Sequence, residues 1–387
     1  MKRGPLHDVM VATHYWSPGW ASALDDYLRP RMRTFRFINL PLFGDGSAAS
    51  YRLYRDGKLA AEITRPGDRG PARYAADIRT TISWAKRDGP AQLFIAGDNL
   101  LALAGLWLRR RGLVKAVVLY TIDFVPQRFA NPVANDLYHR IDRFGAARAD
   151  VVWNTASGIV EAREQRDAGR KSAPQLIVPI GAYVKRIEPL PAATRRPTIA
   201  YLGHLLEKQG LQVVIEAMPE VLRNAPEARL LVIGDGPYRA KLEELARDLH
   251  VEAAVEWAGF YDDHSAIERL LLDCSVGVAP YVPGEANYSR YQDLPGKIVT
   301  YLACALPVIT TEVPRHGHLL ESSGAGRVVA YTSEAMARAV VGYLSDPAAL
   351  AKASDAARHL GLSYDWDEIF DRALSETTRL TRELQNG

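Results

Sequence analysis

The chain has 387 residues, 48% hydrophobic and 24% charged, which supplies apolar material for two cores and is unlike a disordered or fibrous composition. Its two cysteines, Cys274 and Cys304, sit in apolar stretches and exclude both a disulfide framework and a cysteine-rich metal site. The net charge of +3 hides an imbalance: residues 1–190 hold 29 Lys+Arg against 18 Asp+Glu, whereas residues 191–387 hold 19 against 27.

A basic half suits an anionic lipid surface, a phosphate-bearing acceptor or nucleic acid, unless its charges lie on solvated helix faces. The apolar stretch VMVA that follows MKRG is too short for a signal-peptide core. The most apolar runs, 100–108 and 298–309, fall short of the roughly 20 residues a spanning helix needs. A cytoplasmic location is expected, with the inner face of the membrane left open by the basic half.

In chain order, DVMVATHYW reads as a buried strand, followed by AQLFIAG, KAVVLYTID, DVVWNTAS and QLIVPIGA. Amphipathic stretches such as ARYAADIRTTISWAKRD and LLALAGLWLRRRG lie between them. Strand and helix in alternation predict parallel strands with right-handed crossovers and helices on both faces. The proline-rich, aperiodic segment KRIEPLPAATRRP predicts a linker. The alternation then restarts with TIAYLGH, LQVVIEAMPEVLRNAP, ARLLVIGDG, YRAKLEELARDLH, VEWAGF, HSAIERLLLDC, SVGVAPY, LPGKIVTYLACA, LPVITTEV and GAGRVVAYT. The fold class expected is α/β, with two doubly wound Rossmann-like domains facing across a cleft. The boundaries expected are 1–185, a linker at 186–196, 197–364, and a last helix at 365–387 with the option of crossing back to the first domain.

Three segments of the second half carry ligand chemistry. In YLGHLLEKQG (201–210) a glycine ends the strand and basic residues precede the helix, so that open backbone N–H groups and the helix dipole favour an anion. It is not GxGxxG, and by itself it reads equally as a plain turn. In VIGDGP (232–237) the glycines permit close approach of a ligand, while Pro237 also suits the start of a helix. In LPGKIVTYLACALPVIT (294–310), preceded by the tyrosine-rich loop PGEANYSRYQD, Lys297 falls in the first helical turn. A cation is poorly placed there unless a ligand phosphate joins it or its side chain points into water.

These segments, in this order, resemble the C-terminal domain of retaining glycosyltransferases of family four (glycosyl transferases group 1), which have the GT-B fold. The last motif is carried by Pro295, Lys297, Thr300, Tyr301, Ala303, Ala305, Pro307, Val308 and Ile309. The resemblance implies transfer of a hexose-type sugar from a nucleoside-diphosphate sugar, UDP or GDP, to a hydroxyl acceptor. It implies retention of configuration and no metal or other cofactor. The diphosphate would meet Gly203, His204, Lys208 and Lys297. Nucleoside and sugar would meet Gly234, Asp235, Gly259, Phe260, Tyr281, Gln292, Pro295, Gly296 and Thr300. Departures stand at four places. His204 occupies the position of a family arginine, Gln209 that of a lysine, and Gln292 and Thr300 those of two glutamates.

In the first half, His14, Ser17 and Gly19 follow the first strand, where the family has a glycine-rich loop near donor and acceptor. Trp16 and Trp20 flank this loop as sugar platforms or as core. Asp98 and Asp123 end strands and could accept a proton from an acceptor hydroxyl. Asp98 reads equally as a helix N-cap, and Tyr120, Arg128 and His139 read as structural. The expected catalytic set is Asp123, Asp98 and His14. Asp365-Trp366-Asp367 is better explained as a helix start than as a metal motif. The arginine clusters at 29–37 and 107–115 are candidates for contact with anionic lipid. Same-fold alternatives are a phosphorylase, an epimerase or a non-catalytic nucleotide-sugar binding protein. No recognition motif supports nucleic-acid binding.

Overall fold

The computed structural model describes residues 6–15, 19–41, 47–70, 72–124, 126–167, 171–284 and 291–381. Two compact units emerge: Met1–Val178 together with Ile369–Gly387, and Pro179–Glu368.

The first unit is built on β1 (Asp8–Tyr15), β2 (Thr34–Pro41), β3 (Ala48–Arg55), β4 (Lys58–Pro66), β5 (Ala91–Ala96), β6 (Val114–Thr121), β7 (Val151–Asn154) and β8 (Gln175–Ile177). Their order across the sheet is β4-β3-β2-β1-β5-β6-β7-β8. All neighbours are parallel except the pairs β2/β3 and β3/β4. Every residue of β5 is buried, as expected of a parallel strand covered on both faces. The connecting helices are α1 (Trp20–Leu28), α2 (Arg73–Ala85), α3 (Asn99–Arg110), α4 (Pro132–Arg148) and α5 (Ser157–Arg166).

The antiparallel extension β2–β4 is not anticipated by the strand reading, because arginines interrupt its apolar pattern. They do so for a structural reason. Arg36 in β2 is 1% exposed and donates to Asp8 and to the Asp88 carbonyl, both at 2.8 Å. Arg31 stacks over the Tyr27 ring at 4.1 Å, and Arg29 pairs with Asp26. In the 107–115 cluster, Arg109 pairs with Asp150 and Arg111 stacks on Trp107. Arg36 is thus an interior residue, whereas Arg31, Arg33, Arg110, Arg111 and Lys115 remain exposed.

The second unit carries β9 (Thr198–Leu202), β10 (Arg229–Ile233), β11 (Val255–Gly259), β12 (Val276–Ala279), β13 (Val308–Thr310) and β14 (Gly326–Val328). They lie in the order β11-β10-β9-β12-β13-β14, all parallel. The winding reverses between β9 and β12, and crevices at such a point take ligands. Packed on this sheet or following it are α6 (Leu211–Asn224), α7 (Arg239–Asp248), α8 (His264–Leu272), α9 (Gly296–Ala303), α10 (His318–Ser322), α11 (Ser333–Leu344) and α12 (Pro347–Leu362).

The last helix, α13 (Trp366–Leu380), starts in the second unit. The Asp365 carboxylate accepts from the N–H of Asp367 at 3.1 Å and from that of Lys185 at 2.9 Å, the arrangement of a helix start. From Ile369 onward the helix belongs to the first unit. There Tyr27 donates to Asp371 and the Trp153 indole donates to Thr377 at 2.9 Å.

Candidate functional site

At the reversal of the second sheet, three turns are tied together by backbone. Gly203, after β9, donates to the Ile233 carbonyl at 2.9 Å, Leu205 donates to Asp235 at 3.0 Å, and Gly234 donates to Gly259 at 2.7 Å. Gly203 and Gly234 have φ of 142° and 138°, the region that side chains disfavour. A Cβ on Gly234 would stand 2.0 Å from the Gly203 carbonyl oxygen, and one on Gly203 would stand 2.9 Å from the Lys297 ammonium. The turns around Gly203 and Pro295 are thus neighbours. Tyr301 fixes this closeness: its hydroxyl accepts from the Leu202 N–H at 2.6 Å and donates to the Val278 carbonyl at 3.2 Å.

Lys297 stands in the first turn of α9, whose N-cap is Pro295 and whose first residue is Gly296. Its ammonium donates to the Gln209 side-chain oxygen at 2.9 Å. It lies 4.5 Å from the centre of the Tyr201 ring and 5.0 Å from that of Tyr281. Burial pulls this amine down to about 7, because the charged form loses water. Among the described residues no carboxylate lies within ion-pair distance of Lys297. A half-buried cation at a helix N-terminus, held by a neutral amide, is an arrangement that an anion completes.

The other expected donor residues differ in position. His204 is exposed and Lys208 half-buried. Asp235 is exposed, and one carboxylate oxygen accepts from the Gly236 N–H at 2.8 Å. Phe260 is 60% exposed and Tyr281 only 2%, so the Tyr281 ring walls Lys297 from within. Gln292 is exposed, and its backbone carbonyl accepts from Arg315. The Thr300 hydroxyl donates to the Gly296 carbonyl at 3.0 Å. Residues 285–290 of the tyrosine-rich loop lie outside the described residues.

In the first unit, His14 at the end of β1 is held between two carboxylates. Its Nδ1 meets Asp98 at 2.6 Å and its Nε2 meets Asp77 at 3.3 Å. Burial disfavours the imidazolium, but the charge of Asp98 and the bonds to Asp77 and Asp98 outweigh burial and push His14 up to about 10. For Asp98, burial acts upward, while the His14 charge, its hydrogen bond and two backbone N–H groups lower the pKa. Those N–H groups, of Leu100 and Leu101 at 2.9 Å, make Asp98 the N-cap of α3 as well. A histidine held cationic donates hydrogen bonds and cannot take up a proton near neutrality. Asp123 is exposed and pairs with Arg128. Gly19 is the N-cap residue of α1, and Ser17 and Trp16 lie outside the described residues. The Trp20 ring would meet a Cβ on Gly97 at 2.6 Å and packs edge-on against Tyr120 at 5.0 Å, a packing role. His139 is buried and meets the Pro126 carbonyl at 2.8 Å.

The turns described for the second unit fall inside a segment, 196–346, that matches the family model "Glycosyl transferases group 1". That segment is a group 1 glycosyltransferase domain. The chain is 28% identical over 282 residues to the GDP-mannose-dependent alpha-(1-6)-phosphatidylinositol monomannoside mannosyltransferase of Mycolicibacterium smegmatis, covering 69% of this chain and 70% of that protein. It is 29% identical over 153 residues to alpha-D-kanosaminyltransferase of Streptomyces kanamyceticus, covering 39% of this chain but only 37% of that protein. Among solved structures, Anabaena HepE in complex with UDP-glucose superposes with a TM-score of 0.66 at 16% identity, over 95% of this chain and 99% of that one. The fold is GT-B.

Two site neighbours escape a sequence reading. Gln209 registers only as a departure from a lysine, yet its amide is the partner of Lys297. Asp77 lies 63 residues from His14 and is the one acidic residue of α2, a pattern that carries no signal of pairing.

Proposed function

We propose that this chain transfers a sugar from a nucleoside-diphosphate sugar to a hydroxyl acceptor, with the diphosphate against the Gly203 turn and Lys297. The carrying observation is the half-buried Lys297 at the start of α9, its ammonium bonded to a neutral amide beside a turn whose backbone admits no side chain. As the bond from the anomeric carbon to the diphosphate breaks, negative charge grows on the leaving oxygen. Lys297, the α9 N-terminus, Lys208 and His204 would stabilise that charge. In this reading the diphosphate departs without metal. The relatives named for GDP-mannose use and the neighbour solved with UDP-glucose support a nucleotide-sugar donor of either base. We assign the transferred group as a hexose, moved with retention.

The bond formed is from the acceptor oxygen to the anomeric carbon, and the acceptor proton must leave. Asp123, exposed and steadied by Arg128, is the carboxylate suited to receive it. His14 and Asp98 hold the loop end of β1 against α3 as positioning residues. A second reading, binding without transfer, is favoured by one observation: the Thr300 hydroxyl is engaged by its own helix, where the family has a ribose-binding glutamate.

The test is titration calorimetry with UDP and GDP on the native chain and on Lys297→Met. Loss of a charge-assisted contact should weaken binding about tenfold or more. If neither nucleotide binds, or the variant binds as the native chain does, the proposal fails. Binding without turnover in the presence of sugar nucleotides and hydroxyl acceptors would favour the second reading.

A further inference from the structure

Helix α4 has an apolar face that the first unit does not cover. Its buried residues are His139, Asp142, Gly145 and Ala146, which at about 100° per residue occupy one side of the helix. Val133, Leu137 and Phe144 fall within roughly 40° of one another on the opposite side, and they are 79%, 56% and 42% exposed. Phe129, just before the helix, is 42% exposed. Large exposed hydrophobics are otherwise scattered along the chain, so four within 129–144 form a cluster of the kind that marks an interaction surface.

The charges beside this face are mostly positive. A pocket of about 640 Å³ opens along the C-terminal half of α4, lined by Asp136, Arg140, Arg143, Phe144, Arg148 and Lys171. Four cations thus stand against one carboxylate. Asp136 is bonded to Arg140 at 2.7 Å, Arg143 lies 3.5 Å from Asp167, and Arg148 stacks over the Phe144 ring at 4.1 Å. A protein partner would need an acidic rim around an apolar centre. An anionic bilayer offers both features along the whole helix, with phosphates at the level of the arginines and acyl chains beneath them.

We infer that α4 docks the chain on an anionic lipid surface, with Val133, Leu137 and Phe144 entering the interface and the arginine-lined pocket receiving headgroup phosphate. Among the described residues no helix is long and apolar enough to cross a membrane, so this contact lies on the surface. It stands independently of the donor reading, because it uses no residue of the Gly203 and Lys297 site.

The experiment is flotation of the full chain with phosphatidylcholine vesicles, with and without phosphatidylglycerol. Capture should require the anionic lipid and fall as salt is raised. The pair Leu137→Glu with Phe144→Glu should reduce capture at least about tenfold. The pair Arg140→Glu with Lys171→Glu should reduce it at least about fivefold for each cation lost, and this pair keeps the test open if the first fails to fold. Equal capture by neutral vesicles, no capture at all, or capture unchanged in well-folded variants would overturn the inference. So would a dimer in sedimentation equilibrium that the Leu137 and Phe144 changes dissolve, because a second copy would then own the face.

Discussion

Lys297 combines the charge a diphosphate needs with an environment that disfavours that charge. The two statements meet in a pH dependence. Below about 7 the amine is already protonated, and above it binding an anion must draw a proton from solution. Nucleoside diphosphate affinity is therefore expected to decline as pH rises from 7 to 9, by up to about tenfold per unit. Lys297→Met should flatten that decline in calorimetry. Because the folded-state value lies below the ordinary lysine value of 10.5, the native charge costs stability, and the methionine chain should melt no lower than the native one. His14 has the opposite sign. Its folded value lies above the ordinary 6.5, so its contribution is complete below 6.5 and is lost as pH rises through about 10. His14→Gln leaves Asp77, 4% exposed, beside Asp98 without a cation. It should cost about 2–4 kcal/mol near pH 6.5, with the gap to the native chain closing as pH approaches 10, read from denaturant unfolding.

At the scale of elements, the second sheet was legible because its strands are short apolar runs, β9 to β12 closed by Gly or Pro. Each helix there carries its own apolar period. The turn geometry was legible as well, since glycines at 203, 234 and 259 sit at strand ends. What periodicity could not show was the β2–β4 extension, where Arg36 is an interior residue paired through Asp8. An arginine in a strand pattern reads as surface until its partner is known. The exposed face of α4 was hidden for a related reason, because its buried side carries His139 and Asp142, so periodicity takes the apolar stripe for the core side. In the candidate site, Lys297 and the Gly203 turn were legible, while Gln209 and Asp77 were not, because their meaning lies in contacts between distant positions. The turn cluster itself is expected to be intolerant. Gly234→Ala would place a methyl 2.0 Å from the Gly203 oxygen at φ 138°. It should cost about 2–4 kcal/mol and abolish nucleotide binding, as checked by unfolding and calorimetry on one sample. Tyr301→Phe, which orphans the Leu202 N–H, should cost about 1–3 kcal/mol.

At the scale of the whole molecule, the first unit is completed by residues that come last in the chain. Phe370 is fully buried and Ile369 2% exposed, and Trp153 and Tyr27 both bond to α13. A chain ending at residue 368 keeps the second unit entire and strips the first of these contacts. Loss of Phe370 alone is worth about 3–5 kcal/mol. Hydrogen exchange should then show protection falling across β1, β6 and β7 while β9 to β13 keep theirs.

Because the backbone leaves the first unit at Val178 and returns to it at Ile369, the second unit is in effect an insertion. A single protease nick at the 178–179 junction would yield two bands under denaturing conditions. Without denaturant the fragments should co-elute as one particle, since the tail of the larger fragment remains seated in the core of the smaller.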